Sequence, residues 1–120
     1  MRLSNFDSNV ALQPIGDLVI APLRGPVTKD LIGALSGTLL DHLHHTGAQG
    51  VILDLSGVNL LDDHDLHDLR KVVQSAGLMG ARVVMAGMRP GVAIGLTMLD
   101  VEDDWIHSAR TVDAAIEVLA

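Results

Sequence analysis

The segment VILDLSGVNLLDDHDLHDL, residues Val51–Leu69, decides the fold of this chain. Its first five residues are apolar except for Asp54, with Gly50 before them and Ser56 and Gly57 after them. A short apolar run between turn-forming residues is typical of a strand that is covered on both faces of its sheet. The segment therefore predicts a buried central strand with helices packed against it.

A helix is expected to begin in the acidic run that follows this strand. Asp62 stands where an N-cap residue belongs, and Asp65 stands three residues later, where the second member of a capping box belongs. Apolar residues then recur with the spacing of one helix face, at Leu66, Leu69, Val72, Val73 and Ala76. The strand end and the helix start are thus expected to gather several aspartates and the histidines His64 and His67 at one edge of the sheet.

The remaining segments predict an α/β domain around that strand. A β-hairpin is expected to turn at Gly16-Asp17, and Pro14 marks its first strand as an edge strand, because proline cannot donate to a sheet ladder. The other expected elements are a helix from Thr28 or Asp30 to about His45, a strand at Arg82–Ala86, a short helix opened by Pro90, a short strand at Trp105-Ile106 and a terminal helix after Thr111.

The motif Asp54-Leu55-Ser56-Gly57-Val58, followed by apolar residues and an acidic helix start, resembles the STAS family of anti-anti-sigma domains. The resemblance extends over about residues 10–119, and residues 77–93 are most similar to the RsbS branch, the scaffold proteins of stressosomes. It implies an α/β STAS fold with a mixed β-sheet of four to five strands, opened by an N-terminal β-hairpin, and about four α-helices. We expect residues 1–120 to form a single STAS domain.

The resemblance also implies a non-enzymatic signalling protein that acts as an anti-sigma factor antagonist and stressosome scaffold. The implied partners are a switch serine kinase or anti-sigma factor and sister STAS proteins of the RsbR kind, joined in an oligomer or larger assembly. In this family the residue after the capping acid is a serine or threonine that a kinase phosphorylates, and here Asp63 occupies that position. A carboxylate carries about one negative charge, against roughly 1.5 to 2 for a phosphoserine, so Asp63 imitates the phosphorylated state only in part.

Two groups of site residues follow from this assignment. The residues expected to bind a partner are Asp62, Asp63, His64, His67, Met88 and Pro90. The residues expected to shape the site are Asp54, Ser56 and Gly57. The simpler interpretation of Asp63 is an exposed first-turn aspartate that the helix dipole stabilises by about 0.3 to 1 kcal/mol, and the two interpretations are compatible.

The composition excludes several other classes of function. A net charge of −7, with one phenylalanine and one tryptophan, lacks the basic surface and the stacking residues of a nucleic-acid-binding protein. The apolar stretches are too short to cross a bilayer, and the first nine residues contain no signal-peptide core. The absence of cysteine is compatible with a cytoplasmic protein.

Neither a metal site nor an enzyme active site is expected. His64 and His67 share a helix face. Asp63 lies four residues before His67, and Asp68 lies four residues after His64. No third ligand with a supporting hydrogen-bond partner can be named. The chain contains no G-x-S-x-G motif, and residues 87–91 do not form a phosphate-binding loop. We therefore predict no cofactor and no catalytic residue.

Two alternative functions are compatible with parts of the sequence. A response-regulator receiver phosphorylated on Asp54 has a similar size and an aspartate at the end of a buried strand, although the expected acidic pair and late lysine are missing. A STAS module of a transporter or lipid system has the same fold and different partners.

Overall fold

A computed structural model describes residues 10–98 and 104–120. The sheet has the order β1-β2-β3-β4-β5, in which β1 is antiparallel to β2 and the other neighbours are parallel. The strands are β1 (Gln13–Ile15), β2 (Leu18–Arg24), β3 (Gly50–Gly57), β4 (Arg82–Ala86) and β5 (Ser108–Ala109). The helices are α1 (Lys29–Thr46), α2 (Asp63–Leu78), α3 (Pro90–Met98) and α4 (Val112–Leu119). This is the predicted mixed α/β architecture.

Strand β3 lies at the centre of the sheet and is buried on both faces, as its apolar run predicts. Leu53 and Leu55 belong to the main core, to which α1 and α2 contribute apolar residues such as Leu35 and Leu69. Ile52 points to the opposite face, where it belongs to a smaller core with Ala115 of α4. The alternation follows from the strand period of two, so one strand joins both cores.

The N-terminal hairpin turns where the sequence predicts. Gly16 has a φ angle of 59°, and Ile15 pairs with Leu18 across the two-residue turn. Because a positive φ is costly for residues with a Cβ atom, glycine suits this position. Strand β1 occupies the sheet edge, as Pro14 indicates.

The position predicted for the last strand, Trp105-Ile106, is wrong. Strand β5 comprises Ser108–Ala109, with Ser108 in register with Met85, and the Met85 N–H donates to the His107 carbonyl oxygen at 2.7 Å. Trp105 is instead 8% exposed and packs in the main core. Burial of the large indole ring determines where this segment meets the domain, and pairing with β4 begins only beyond it.

Helix α1 begins with a side-chain cap. The Thr28 hydroxyl oxygen accepts a hydrogen bond from the Leu31 N–H at 3.0 Å, so Thr28 is the cap and Asp30 lies in the first turn. We expect Thr28→Ala to lower the free energy of unfolding by about 1 kcal/mol, because one backbone N–H loses its acceptor. Thr28→Ser keeps the acceptor and should remain close to the wild type. Denaturant unfolding followed by the fluorescence of Trp105, the single tryptophan, measures both variants.

Candidate functional site

Three loops meet at one edge of the sheet because strands β2, β3 and β4 are parallel and end there. They comprise residues 25–28, 58–62 and 87–89, and each leads into a helix. The loop after β3 carries the acidic run into α2. This edge is therefore the part of the fold that can present variable side chains on a fixed core.

The start of α2 is fixed by a complete capping box. Asp62 Oδ1 accepts the Asp65 N–H at 2.8 Å, and Asp65 Oδ2 accepts the Asp62 N–H at 3.1 Å. This reciprocal arrangement satisfies two backbone donors at the helix start and confirms the predicted pair. The backbone on both sides of Asp63 is consequently held in one conformation.

The two capping carboxylates have pKa values displaced in opposite directions. The hydrogen bond from the Asp65 N–H lowers the pKa of Asp62, because the ionised form is the better acceptor. Partial burial raises the pKa of Asp65, and the negative charge of Asp62 adds to this rise although the Asp62 N–H opposes it. Ionisation of Asp62 therefore stabilises the folded state, and ionisation of Asp65 destabilises it.

Asp62→Asn and Asp65→Asn are expected to change the pH dependence of stability with opposite signs. The Asp62 carboxylate stabilises the fold above its unfolded pKa, and this stabilisation is lost as the pH falls through its lowered folded pKa. Protonated Asp65 stabilises the fold, and this contribution is lost as the pH rises through the raised folded pKa of Asp65. Towards neutral pH, Asp62→Asn should thus be less stable than the wild type and Asp65→Asn more stable, with both differences shrinking in acid. Urea unfolding from acidic to neutral pH tests this, and differences that do not vary with pH would contradict it.

Asp63 is the first residue of α2, and its side chain is exposed. Within residues 10–98 and 104–120, its carboxylate has no hydrogen bond or ion pair. His64 and His67 are exposed on the same helix, with His67 one turn beyond Asp63. In the described part of the chain, the His, Asp and Glu side chains form no group of three or more that could hold a metal ion.

The end of β3 forms a compact polar turn. Asp54 Oδ1 accepts the Ser56 N–H at 3.0 Å, and Arg89 Nη1 donates to the Ser56 carbonyl oxygen at 3.3 Å. A Cβ atom at Gly57 would lie 3.0 Å from the Leu23 carbonyl oxygen, so β2 approaches this glycine closely. These contacts fix the turn at the end of β3, and the role of Asp54, Ser56 and Gly57 in shaping the site stays a prediction.

An open cleft of about 450 Å3 lies beside the capping box. Gly25, Pro26 and Val27 form one wall, and Asn59, Leu60, Asp62 and Asp65 form the other. Pro90 is exposed at the start of α3, whereas Met88 is half-buried and lines a separate cleft with Ser108, Ala109 and Arg110. The predicted partner-binding residues therefore do not all share one cleft.

Three exposed apolar side chains were not predicted from the sequence, and one of them, Leu60, lines this cleft. Leu60, Ile94 and Met98 are 73%, 58% and 78% exposed. The signal was the composition of α3, PGVAIGLTM, which has no charged residue on any face. A surface helix ordinarily has a polar side, and α3, with exposed Ile94 and Met98, departs from that pattern.

The family model of the STAS domain matches residues 9–115. This chain belongs to the STAS domain family. The STAS fold accounts for the mixed sheet and its N-terminal hairpin, and it confirms the resemblance drawn from the β3–α2 motif. None of the described helices combines the length and the apolar character needed to cross a membrane.

Several STAS proteins are similar to this chain. RsbRA of Bacillus subtilis, named as an RsbT co-antagonist protein, is 23% identical over 101 residues, which are 84% of this chain and 37% of RsbRA. The chain thus spans less than half of this curated relative. An RsbS variant of Moorella thermoacetica, with glutamate in place of a serine, has a TM-score of 0.78 at 20% identity and covers 92% of this chain and 93% of that one. A stressosome component has a TM-score of 0.70 at 20% identity, covering 90% and 94%.

Proposed function

We propose that this chain is an RsbS-like, non-enzymatic STAS signalling module of the cytoplasm. It binds a switch serine kinase or anti-sigma factor and assembles with sister STAS proteins of the RsbR kind. The observation that carries the proposal is the exposed carboxylate of Asp63 at the first residue of α2, which has no hydrogen bond or ion pair among the described residues. In the STAS pattern, that residue is the one a kinase phosphorylates.

The physical basis is a fixed charge where other family members carry a reversible one. Phosphorylation at a helix start adds up to two negative charges and three acceptor oxygens, which attract or repel a docking partner. Asp63 supplies one charge permanently, and the capping box holds its backbone. The subunit would therefore remain in one partner-binding state and would not be switched by a serine kinase.

Replacement of Asp63 by serine tests this assignment. RsbT of Bacillus subtilis, the protein in the name of RsbRA, is the first candidate partner to test. We expect Asp63→Ser to change the Kd for RsbT by at least about tenfold, equivalent to 1.4 kcal/mol, and to allow phosphate uptake from ATP. Titration calorimetry and intact-mass measurement give the two results.

Asp113→Ser is the matched control, because Asp113 is likewise an exposed aspartate in the first turn of a helix, α4, and is not among the residues expected to bind a partner. It should leave both the Kd for RsbT and the mass after incubation with ATP unchanged. An unchanged affinity together with no phosphate on Asp63→Ser would show that residue 63 is not the phosphoacceptor position.

A receiver function for Asp54 has less support. The Asp54 carboxylate accepts the N–H of Ser56 in its own strand and is half-buried, and the chain is a STAS domain. Incubation with acetyl phosphate and Mg2+ should therefore leave Asp54 unlabelled. Stoichiometric labelling of that residue would favour the receiver instead.

A further inference from the structure

Helix α3 is apolar on its exposed side as well as on its buried side. Val92 is buried and Leu96 packs against the main core, whereas Ile94 and Met98 are largely exposed. Leu60 is 73% exposed in the loop before α2. We call Leu60, Ile94 and Met98 the α3 patch.

Helix α3 closely approaches the loop that carries Leu60, and the point of closest approach is Gly91. A Cβ atom at Gly91 would stand 2.6 Å from the Asn59 carbonyl oxygen and 3.5 Å from Leu60 Cδ2. Ile94 and Met98 follow Gly91 by three and seven residues, so they continue along the same helix face. The α3 patch thus combines Leu60, which lies next to Gly91, with two residues on the Gly91 face of α3.

The α3 patch continues into the cleft beside the capping box, since Leu60 lines that cleft too. Pro26 and Val27 extend the apolar lining, and Asp62 and Asp65 border it. Neither aspartate has an ion pair with a basic side chain in the described ranges, 10–98 and 104–120. The result is an apolar surface with an acidic border that forms no ion pair within those ranges.

The charges argue against a second copy of the chain as the molecule that covers this surface. A symmetric pair would place the same aspartates of both copies near each other, and each copy carries a net charge of −7. Like charges brought together across an interface cost binding free energy, whereas opposite charges favour association. The complement of this surface is therefore apolar at its centre and basic at its border.

We propose that the α3 patch and the adjoining cleft bind a partner protein through an apolar side chain flanked by lysine or arginine residues. This inference rests on the proposed function, because it specifies the chemistry of a partner that docks at the start of α2. The apolar anchor would supply most of the affinity. The aspartates would increase the association rate and make that rate depend on salt.

Two helical peptides with the same row of leucines, one flanked by lysines and the other by glutamates, test the inference on the intact chain. We expect the lysine peptide to shift the NMR methyl signals of Leu60, Ile94 and Met98, and the glutamate peptide to leave them unchanged. Added salt should weaken the lysine complex, because it screens the charges. The absence of shifts at these methyls, or equal shifts with both peptides, would overturn the inference. Concentration-dependent shifts without peptide would also overturn it, since they would identify a second copy as the occupant.

Substitutions separate the apolar and the charged contributions. Ile94→Ser should weaken binding of the lysine peptide at least about tenfold, and Val118→Ser, on the distant helix α4, should not. The double change Asp62→Asn with Asp65→Asn keeps side-chain oxygens for the capping box and should reduce the salt dependence. Equal effects of Ile94→Ser and Val118→Ser would count against the α3 patch.

Failure of this inference is distinguishable from failure of the proposed function. RsbT binding that responds to Asp63→Ser supports the proposed function whether or not the peptides bind. Peptide shifts at the α3 patch support the inference even if RsbT does not bind at all.

Discussion

Leu53→Ala should lower the free energy of unfolding by about 2 to 5 kcal/mol. Leu53 has no exposed surface and lies in the middle of β3, between β2 and β4. Its removal leaves a cavity in the main core, and neighbouring strands hold the backbone so that the cavity cannot close fully. Small domains are typically stable by about 5 to 15 kcal/mol, so this loss is a large part of the total.

Leu78→Ala is the matched control for this truncation. Leu78 is 91% exposed at the end of α2, so the same change removes little buried surface and should alter stability by no more than about 0.5 kcal/mol. Urea unfolding of both variants, followed by Trp105 fluorescence, gives the comparison. Similar losses in the two variants would mean that β3 is not the centre of the core.

Gly91→Ala is expected to destabilise the domain by about 1 to 3 kcal/mol, even though alanine favours helices. The added Cβ atom would stand 2.6 Å from the Asn59 carbonyl oxygen, and a backbone atom cannot move aside as a flexible side chain can. Either α3 or the loop before α2 must shift. The same variant should therefore weaken binding at the α3 patch, as measured with the lysine peptide.

Gly95→Ala, in the same helix, distinguishes the contact from a general effect of glycine replacement. A Cβ atom there would meet the Leu61 carbonyl oxygen at 3.7 Å, which is ordinary van der Waals contact. This variant should gain up to about 1 kcal/mol from helix propensity. If both variants were stabilised, the close approach at Gly91 would not constrain the domain.

The sequence predicted most of the fold because the decisive signals are local. The apolar run of β3, the cap at Asp62 and the turn at Gly16 each depend on residues within a few positions. The last strand was misplaced because Trp105 has the β propensity of an aromatic residue, and its burial depends on packing with distant parts of the chain.

The candidate site was predicted less completely for the same reason. The capping aspartates could be placed because their spacing defines their contacts. Leu60 could not be placed beside the start of α3, since that proximity arises from the close approach of Gly91 to the Asn59 carbonyl oxygen, more than thirty residues away in sequence. The α3 sequence shows that the helix has no charged residue. It does not show which of its apolar residues are exposed, because exposure depends on the folded structure.

The two edge strands of the sheet limit how this domain can associate with copies of itself or with related domains. Strand β1 has three residues with Pro14 in the middle, and β5 has two residues, so neither border offers a long row of free backbone donors and acceptors. Continuous strand-to-strand extension from one molecule to the next is thereby disfavoured. Any particle built from this domain should be held together by helix and loop surfaces, whose contacts can be released and remade without unravelling a shared sheet.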